Sequence, residues 1–475
     1  MDSPPLLLGK EKDTPIYLQL YRRYRDAITA GKLRPGDRVP SVRSLASELN
    51  LARGTVEAAY QILISEGYFV ARGAAGTRVS PRLEYLAEPG RDEAPTAPAQ
   101  AAGPLASRRP EPRPFQPGLP ALDAFPHKLW ARLVGRNLRA LETTALVYPN
   151  PAGYGPLRRA IATYLGISRG ITCSYQQVFI TAGYHGALEL VRRTLLKAGD
   201  RGWHEDPGYF YARHYLENVG LRLTPVPVDE EGLNVAAGQR RAAGARFAVV
   251  TPTHQSPMGM ALSLPRRLAL LDWASRQRAW VIEDDYDSEF QYHGRPLPAL
   301  KSLDRDERVL YTGTFSKTLF PGLRLAYLVV PVSQIERFRD KVNHLPGPGS
   351  VLTQAAVADF MEQGYFARHL RRMRALYAAR RGYLSDVLAQ ELGERLHVQP
   401  QAGGIHVLAH LKRRENDLLL ASAAEAHGLA VQALAHWRMR RSSRGGLMMG
   451  FANFKTAEEA TASVRRLKAA LTDLQ

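Results

Sequence analysis

The apolar positions of the first eighty residues recur at helical spacing in three successive stretches. Residues 15–31 repeat apolar side chains every three to four positions, which predicts an amphipathic helix that ends at Gly31. A Pro-Gly turn then precedes Ser41, a candidate N-cap for a second helix, and a third helix is predicted over 52–69. Two short apolar runs around a glycine-rich tip in residues 68–80 predict a β-ribbon. Three helices followed by a ribbon are the layout of a winged helix-turn-helix.

Beyond about residue 120 the pattern changes to short apolar runs that alternate with helical stretches. The runs that predict strands are QQVFIT, ARFAVVTP, AWVIEDDY, RVLYTGTF and RLAYLVVP. Strands separated by helical crossovers predict an α/β fold with a largely parallel sheet, whose ligands bind at the carboxyl ends of the strands. The stretch before them is rich in Pro and Ala and predicts a linker. The predicted divisions are a first domain over 8–80, a linker over 81–114 and a second domain over 115–475.

Composition narrows the class of protein. The chain has 475 residues, of which 45% are hydrophobic, which suits two or three domains with sizeable cores. A single cysteine, Cys173, excludes an internal disulfide framework, and we predict no metal site. No apolar run reaches the roughly 18 residues that a membrane helix needs, and the first residues do not resemble a secretory signal. We therefore expect a soluble cytoplasmic protein with no membrane partner.

The charge of the chain adds a candidate partner. Sixty-four basic residues against 45 acidic ones leave a net charge of +19, which favours a polyanion such as nucleic acid. The third predicted helix begins with Arg53, Gly54 and Thr55, small or donor-bearing groups that can approach base edges. Arginines placed to contact phosphates are Arg43, Arg72 and Arg78. The alternative is a protein-interaction domain whose arginines are merely solvated.

A resemblance to a known family strengthens the DNA-binding interpretation. The stretch LRPGDRVPSVRSLASELNLARGTVEAAYQILISEGYFVARGAAGTRV combines a Pro-Gly-Asp turn, Pro-Ser-x-Arg-x-Leu-Ala, Arg-x-Thr-Val at a helix start, and Gly-Tyr before the wing. Over residues 14–79 the chain resembles the GntR-type winged helix of bacterial transcription regulators. The resemblance implies that the partner is double-stranded operator DNA.

In the second domain, one lysine is distinguished by its position after a predicted strand. Lys317 follows RVLYTGTF and lies among hydroxyl and apolar residues. A lysine amine in a partly apolar pocket has a lowered pKa and forms Schiff bases with aldehydes such as pyridoxal phosphate. That cofactor needs an acid at its ring nitrogen, for which Asp284 or Asp285 qualifies. Its phosphate needs N–H groups at a helix start, as in TAGYHGALEL, and an arginine, for which Arg324 is the candidate.

Each of these parts alone is also typical of a tight turn, a capping residue or a surface lysine, and only their conjunction favours the cofactor. Their order and spacing resemble the fold-type I pyridoxal phosphate enzymes. More closely, over 14–79 and 115–470 the chain resembles the MocR/GabR-type regulators, which join a GntR-type winged helix to an aminotransferase-like domain. Motifs that carry this resemblance include PAGYGPLRRAIATYL, EDPGYFYAR, TPTHQSPMGMALSLPRRLALLDWA, YTGTFSKTLFPGLRLAYLVVP and LMMGFAN. It implies a mostly parallel sheet, a smaller C-terminal α+β subdomain and a head-to-tail homodimer.

The resemblance also implies roles for the residues that match the family motifs. Lys317 would form the internal aldimine, Asp284 would pair with the pyridine nitrogen, and Tyr286 would hydrogen-bond the phenolic oxygen. These three are the candidate catalytic residues, and Tyr209 would stack on the ring. The implied phosphate ligands are Tyr184, His185, Thr314, Ser316, Arg324 and, from the neighbouring subunit, Tyr148. The loop under the ring holds two residues without an assigned role, His254 and Ser256.

Two departures from the family pattern bear on function. The phosphate turn reads GYHG at residues 183–186 where Gly-x-Gln-Gln is common, a change that backbone donors tolerate. The position at which aminotransferases place the arginine for a substrate carboxylate holds Met448. The arginines near it in sequence are Arg438, Arg440, Arg441 and Arg444.

Three hypotheses remain open at this point. The first is a transcription regulator, acting at nucleoid DNA, whose second domain senses pyridoxal phosphate or an amino compound through aldimine exchange. The second is a working aminotransferase that carries a DNA-binding module. The third is a scaffold that keeps the fold without the cofactor. The methionine at residue 448 favours the first hypothesis, in which turnover is weak or absent.

Overall fold

The chain divides into two compact units, Met1–Ser107 and Arg108–Gln475, which we call the N-terminal unit and the C-terminal unit. The computed structural model of the protein describes residues 14–81, 83, 111–143, 147–292, 297–440 and 444–472. Most of the predicted linker, 81–114, lies outside the described residues. The domain bounds 8–80 and 115–475 therefore stay predictions.

The N-terminal unit contains three helices and a two-stranded ribbon. Its elements are α1 (Ile16–Thr29), α2 (Val42–Glu48), α3 (Arg53–Ser65), β1 (Phe69–Ala71) and β2 (Thr77–Val79). The two strands pair in an antiparallel register with Phe69 opposite Val79. This is the winged helix layout that the apolar pattern predicts.

Three aromatic rings form part of the core of the N-terminal unit. Tyr24 of α1, Tyr60 of α3 and Phe69 of β1 meet edge to face, with centroids 5.7, 5.3 and 5.2 Å apart. The second helix begins where the sequence predicts, because the side chain of Ser41 accepts a hydrogen bond from the Ser44 N–H at 3.1 Å. Ring packing and capping thus set the positions of the helices that carry the candidate DNA contacts.

The C-terminal unit is built around an eight-stranded sheet. Its strands are β3 (Val178–Thr181), β4 (Arg201–Asp206), β5 (Arg222–Asp229), β6 (Gly232–Leu233), β7 (Phe247–Val250), β8 (Trp280–Asp285), β9 (Val309–Thr314) and β10 (Ala326–Val329). They lie in the order β3-β10-β9-β8-β7-β4-β5-β6. Only β10 and β6 run antiparallel to their neighbours. Six of the eight strands therefore share one direction, which confirms the prediction of a mostly parallel sheet.

Helices connect these strands or lie before and after them in the chain, and they pack against the sheet through large apolar clusters. They are α4 (His127–Arg139), α5 (Gly155–Arg169), α6 (Tyr184–Leu195), α7 (Phe210–Asn218), α8 (Val235–Arg241), α9 (Leu264–Gln277), α10 (Ile335–Val342) and α11 (Val351–Glu362). Because of this cover, β8 is buried along its whole length. The acidic residues at its carboxyl end therefore lie in the interior of the unit, where charge is costly without a partner.

A second, smaller sheet belongs to a C-terminal subdomain. Its elements are α12 (Tyr365–Leu392), β11 (Leu396–Val398), β12 (His406–Leu411), α13 (Asp417–Ala426), β13 (Gln432–Ala433), β14 (Gly446–Gly450) and α14 (Ala457–Thr472). The four strands are antiparallel in the order β11-β12-β14-β13, and α12 packs against α14. The predicted α+β subdomain is thus confirmed.

Two kinds of feature are absent from the described ranges. None of their helices combines the length and the apolar content that crossing a bilayer requires. Nor do three or more His, Cys, Asp or Glu side chains within those ranges come together in a way that could hold a metal ion.

Candidate functional site

A cavity of about 1080 Å³ opens in the C-terminal unit at the carboxyl ends of β8 and β9. Its walls include nine of the ten side chains that the family motifs single out: Tyr184, His185, Tyr209, Asp284, Tyr286, Thr314, Ser316, Lys317 and Arg324. The carboxyl ends of parallel strands meet at one edge of a sheet. Residues as far apart in sequence as 184 and 324 therefore share one cavity.

Lys317 lies half-buried in the cavity wall. Its Nζ donates a hydrogen bond to the carbonyl oxygen of Gly118 at 2.7 Å. Gly118 has a φ of +79°, and a Cβ at that residue would come within 2.8 Å of Nζ, so glycine suits this position. Burial lowers the pKa of Lys317, and the carboxylates of Asp287 and Asp284 oppose that shift. A lysine with a lowered pKa is uncharged more often at neutral pH and is a better nucleophile toward carbonyl carbon.

The two adjacent aspartates at the end of β8 have different surroundings. Asp285 forms an ion pair with Arg169 at 2.7 Å and accepts a hydrogen bond from the Tyr311 hydroxyl at 2.7 Å. Asp284 projects to the opposite face, because neighbouring side chains of a strand alternate, and it lines the cavity. Burial raises the pKa of Asp284 to about 8, and the charge of nearby carboxylates adds to that shift. Of the two candidate acids, only Asp284 faces the cavity, where a cationic ligand group would hold it ionised.

A hydrogen-bonded group of three side chains lies beside Asp284. Nδ1 of His254 is 3.1 Å from the hydroxyl of Tyr286 and 3.1 Å from Oδ1 of Asp287. His254 and Asp287 are buried, and Nε2 of His254 has no partner among the described residues. Gly404 packs so closely against the His254 ring that a Cβ there would clash with it. The Tyr286 hydroxyl is therefore held in a defined position at the cavity wall.

Several hydrogen-bond donors collect where α6 begins. The residue before the helix, Gly183, has a φ of 78°, and the first N–H groups of the helix have no intrahelical acceptor. The Arg324 guanidinium lies against Gly183, where a Cβ would be 3.3 Å from Nη2. Thr314 and Ser316 add hydroxyl groups after β9, and the Ser316 N–H donates to Thr314 Oγ1 at 3.1 Å. A helix start, an arginine and two hydroxyls are a donor set suited to phosphate.

Aromatic side chains form another wall of the cavity. The ring of Tyr209 lies 6.2 Å from that of Tyr184 and 5.8 Å from that of Trp437, measured between centroids. The Tyr184 hydroxyl is close enough to Asp284 to lower the pKa of that carboxyl, but it makes no complete hydrogen bond among the described residues. Trp437 Nε1 is also buried without a partner in those residues. Unpaired buried donors are uncommon in folded proteins, and a ligand is one way to satisfy them.

The region around Met448 bears on the arginine that the family pattern predicts. Met448 lies on β14, is buried, and lines the cavity. Of the nearby arginines, Arg438 lines the cavity as well, whereas Arg440 and Arg444 do not. Arg441 lies outside the described residues. The structure therefore leaves Arg438 as the described arginine of this group that can reach a ligand.

One predicted ligand is not brought to the cavity of its own chain. Tyr148 is fully exposed and does not line the cavity. Its assignment to the phosphate of a neighbouring subunit stays a prediction. Conversely, sequence reasoning missed Gly118 and Trp437, which carry no local motif and approach the site only through the fold. Asp287 was missed as well, although the acidic run EDDYDSEF was a signal for it.

The groups of this cavity fit pyridoxal phosphate. The cofactor requires an amine for its aldehyde, an acid for its ring nitrogen and donors for its phosphate. Lys317, Asp284 and the start of α6 with Arg324 supply these three kinds of group. The unpaired Tyr184 hydroxyl beside Asp284 adds a buried donor that such a ring system can use.

The candidate DNA contacts lie at the surface of the N-terminal unit. Arg53 and Gly54, the first residues of α3, are exposed, and Thr55 is half-buried. A Cβ at Gly54 would meet nothing within 4 Å, so the approach to the helix start is open. Arg43 of α2 and Arg72 before the wing tip are exposed too. Arg43, Arg53 and Arg72 are thus accessible at the surface of the unit.

Two further arginines lie near the base of the wing. Arg78 is half-buried, and its Nη1 donates to the carbonyl oxygen of Gly36 at 2.9 Å, so part of its guanidinium is used within the unit. Arg38, which sequence reasoning did not single out, is exposed and lies against Gly76 of the wing, where a Cβ would be 3.3 Å from Nε. The sequence feature that could have indicated Arg38 is the Pro-Gly-Asp-Arg turn to which it belongs.

The fold and the site together define a class: a winged helix DNA-binding unit on the same chain as an aminotransferase-like cofactor domain. Comparison with known families supports both parts of this assignment. The family described as "Bacterial regulatory proteins, gntR family" matches residues 16–79. The family described as "Aminotransferase class I and II" matches residues 125–458.

Individual relatives span both parts of the chain. The probable rhizopine catabolism regulatory protein MocR of Rhizobium meliloti is 37% identical over 470 residues, which cover 97% of this chain and 95% of the relative. The pyridoxine biosynthesis transcriptional regulator PdxR of Corynebacterium glutamicum is 33% identical over 447 residues, which cover 94% of each chain. Among solved structures, the α-aminoadipate aminotransferase LysN of Thermus thermophilus, in complex with N-(5′-phosphopyridoxyl)-L-leucine, is 29% identical. Its TM-score is 0.68, and the match covers 76% of this chain and 92% of that one.

The chain belongs to the family of MocR-type regulators. It is a DNA-binding transcription regulator with an aminotransferase-like domain, and the cofactor of that domain is pyridoxal 5′-phosphate.

Proposed function

We propose that the protein holds pyridoxal phosphate at Lys317 and changes its affinity for DNA when an amino compound enters the same cavity. The observation that carries this proposal is that Lys317, which is half-buried, and Asp284, which is buried, line the same cavity of about 1080 Å³. Ordinary ligand pockets measure about 300–1,000 Å³, so this cavity has room for a cofactor together with a small ligand.

The proposed roles follow from the surroundings of each group. Pyridoxal phosphate, when bound, supplies an aldehyde that bonds reversibly to amines. Its ring withdraws electrons from the carbon atom that carries the amine of the bound compound. Lys317 would be the amine of this chain, and Asp284 would hold a proton at the ring nitrogen. Tyr286, positioned by His254 and Asp287, would donate to the ring oxygen. Tyr209 would cover one face of the ring, and the phosphate ligands would be Tyr184, His185, Thr314, Ser316 and Arg324.

One contact supports a sensing role over a purely catalytic one. The Lys317 amine donates to Gly118, and Gly118 belongs to the stretch 113–118, part of which lines the cavity. The first two residues of this stretch are the last two of the predicted linker, 81–114, which leads to the N-terminal unit. Any change in the partner of the Lys317 amine therefore acts on the chain segment that leads to the DNA-binding unit. A ligand with different affinity for two arrangements of that segment shifts the balance between them.

We infer that the DNA contacts are those of a winged helix. Arg53, Gly54 and Thr55 would approach base edges from the start of α3, since this end of the helix is open. The proposed phosphate contacts are Arg43, Arg72 and Arg78. Because Arg78 already donates a hydrogen bond to Gly36, we expect its contact with DNA phosphate to be weaker than those of Arg43 and Arg72.

The proposed active form is a head-to-tail homodimer. Tyr148 is fully exposed in the single chain, which suits a residue that completes the phosphate site of a neighbouring subunit. A dimer with two winged helices would bind paired half-sites in operator DNA. We propose that it does so in the bacterial cytoplasm, at nucleoid DNA.

The test is a binding measurement with the full-length protein in its cofactor-loaded and cofactor-free forms. Fluorescent DNA from upstream of its own gene and of the adjacent genes would be titrated at fixed salt, with a scrambled fragment as control. We expect tighter binding to one natural fragment than to the scrambled one, and a shift of that affinity when pyridoxal phosphate is added. Equal affinities for natural and scrambled DNA in both forms would overturn the proposal.

A second candidate function is turnover as an aminotransferase, which the match of residues 125–458 to class I and II aminotransferases favours. It predicts steady conversion of an amino donor and a keto acceptor by the loaded protein. Liquid chromatography of the reaction products, with a Lys317→Ala variant as blank, would detect it. Product formation limited to a single half-reaction or absent altogether supports sensing instead.

A further inference from the structure

The strand position expected to bind a ligand carboxylate is apolar in this protein. Met448 on β14 packs in a buried cluster with Leu408, Leu434 and Trp437. A thioether is at most a weak acceptor and has no hydrogen to donate, so it does not bind an anion. A cationic partner for an anionic ligand group must therefore come from another element of the cavity wall.

Arg438 lies on that wall and is anchored through its backbone. Its carbonyl oxygen accepts a hydrogen bond from Nη1 of Arg213 at 2.9 Å. The following N–H, that of Met439, donates to Oδ1 of Asp206 at 2.8 Å. These bonds tie the turn that carries Arg438 to the end of β4 and to α7. The side chain of Arg438 thus extends from a fixed point next to Trp437.

The guanidinium of Arg438 has no ion-pair partner and no hydrogen-bond acceptor among the described residues, and its Nε is buried. Burial lowers the pKa of Arg438, while the nearby carboxylates of Asp206 and Asp417 oppose that shift. Both carboxylates are engaged elsewhere, since Asp206 accepts from Met439 and Asp417 accepts from two backbone N–H groups at 3.1 Å each. A half-buried guanidinium without a carboxylate partner is well suited to bind an anion.

The other arginines of the cavity wall each have a partner or an expected ligand. Arg113 forms an ion pair with Glu425 at 3.3 Å. Arg213 uses Nη1 to hold the backbone of Arg438. Arg324 lies against Gly183 at the start of α6, where the cofactor phosphate is expected. Within the described part of the wall, Arg438 is therefore the arginine left for a ligand.

We propose that Arg438 binds the carboxylate of the amino compound that enters the cavity, and that Met448 and Trp437 contact the apolar part of the same molecule. The ligand class is then an amino acid in the broad sense, a molecule with both an amine and a carboxylate, rather than a simple amine. This inference rests on the proposed function of the cavity, because the amine end of the ligand must meet the cofactor at Lys317.

The test compares amino acids with amines that lack only the carboxylate. The full-length, cofactor-loaded protein would be titrated with L-alanine and its counterpart ethylamine, and with 4-aminobutyrate and its counterpart propylamine, while the visible absorbance of the cofactor is followed. Charge-assisted hydrogen bonds contribute about 1.5–3 kcal/mol, which corresponds to about 10- to 150-fold in affinity. We expect at least one of the amino acids to bind about tenfold or more tightly than its amine counterpart.

Variants then assign the effect to Arg438. The change Arg438→Gln is expected to remove that preference by lowering the affinity for the amino acid, with unchanged affinity for the amine and unchanged cofactor content. Arg438→Lys should keep part of it. The matched control is Arg440→Gln, at an exposed arginine that does not line the cavity, and it should behave as the parent protein.

Three outcomes would overturn the inference. They are an Arg438→Gln protein that keeps the preference, a parent protein that binds amines as tightly as amino acids, and a loaded protein whose absorbance none of these compounds changes. In each of these cases cofactor binding is intact, so the proposed use of Lys317 stands. A purified protein that takes up no pyridoxal phosphate would instead overturn the proposed function, and this inference with it.

Discussion

The two units keep their functional side chains in opposite environments. In the N-terminal unit, Arg43 and Arg53 project from helices into solvent. In the C-terminal unit, Asp284 is buried and Lys317 is half-buried, and desolvation moves the pKa of the lysine down and that of the aspartate up to about 8. The exposed arginines of the N-terminal unit attract a polyanion through their charge. In the cavity of the C-terminal unit, desolvation instead shifts the pKa values of Lys317 and Asp284.

This difference sets what a substitution does in each unit. Removing an exposed arginine deletes one contact and leaves the rest of the surface as it was. Removing a buried group changes the protonation or the position of its neighbours too, since their properties depend on one another. Effects in the cofactor cavity are therefore expected to be larger and to depend on pH, whereas effects on the DNA surface should be moderate and depend on salt.

The largest expected effect is that of Lys317→Ala. Without the amine there is no group of the chain for the cofactor aldehyde to bond, so the covalent link is lost while the fold remains. Visible absorbance and the mass of the borohydride-treated protein would measure the loss. Lys197→Ala, at an exposed lysine, is the control. A Lys317→Ala protein that still shows the lysine-linked cofactor would remove Lys317 from the site.

The second effect concerns pH and the cofactor-free protein. Between about pH 4 and about pH 8 the unfolded chain ionises Asp284, whereas the folded chain keeps it protonated because burial raises its pKa to about 8. Stability is therefore lost as the pH rises through this window. Asp284→Asn should remove the part of this pH dependence that comes from Asp284. That part is a few kcal/mol in the free energy of unfolding, at about 1.4 kcal/mol per unit of pKa difference.

Urea unfolding of the cofactor-free protein at both ends of this pH window would measure the change. Tryptophan fluorescence reports on the C-terminal unit alone, because all five tryptophans lie in it. The control is Glu217→Gln, at an exposed carboxyl that does not line the cavity. If Asp284→Asn leaves the pH dependence of stability as steep as in the parent protein, the aspartate is ionised in the folded state.

The third effect belongs to the DNA surface. Arg53→Ala should weaken binding to operator DNA by about 1–3 kcal/mol, the usual contribution of one arginine to base recognition. Cofactor absorbance should stay unchanged, because Arg53 belongs to the other unit. Fluorescence anisotropy at two salt concentrations would measure it, with Arg22→Ala on α1 as the control. Unaltered DNA affinity would show that Arg53 does not contact the operator.

A smaller effect is expected for Gly118→Ala. A side chain at this residue must adopt a φ of +79°, which costs about 1–2 kcal/mol, and its Cβ would approach the Lys317 amine to 2.8 Å. We expect weaker cofactor binding, measured as the dissociation constant from absorbance after dialysis. Gly347→Ala is the control, because a Cβ there meets nothing within 4 Å and no positive φ is required. Equal constants for the two variants would mean that Gly118 does not position the amine.

The smallest effect is that of Ser41→Ala. Loss of the hydrogen bond to the Ser44 N–H should destabilise the start of α2 by about 1 kcal/mol, the usual contribution of an N-cap. Amide hydrogen exchange of Val42–Glu48 in the full-length protein would detect faster opening. Ser47→Ala, an exposed serine of the same helix, should not produce it. Cofactor binding should be untouched in both variants.

The predictions that held from sequence are those that depend on neighbours along the chain. The Ser41 cap and the order of helices and wing follow from local chemistry, and the structure places them as expected. The same is true of the strand β9 that precedes Lys317. The apolar pattern could not decide between Asp284 and Asp285, because both follow the same apolar run, and only the family resemblance implied Asp284. The choice depends on which face of β8 turns toward the cavity.

Sequence by itself determined the kinds of group this protein has and their order: a GntR-type recognition helix, a lysine after a strand, two acids at a strand end, and a methionine where an arginine was expected. Tertiary structure decided which of them meet. It brought the Gly118 carbonyl to the Lys317 amine across 199 positions, and of the described arginines Arg438, Arg440 and Arg444 it placed Arg438 in the cavity wall. The physical reason is that burial and contact across a sheet edge depend on long-range packing, which no local pattern of residues encodes.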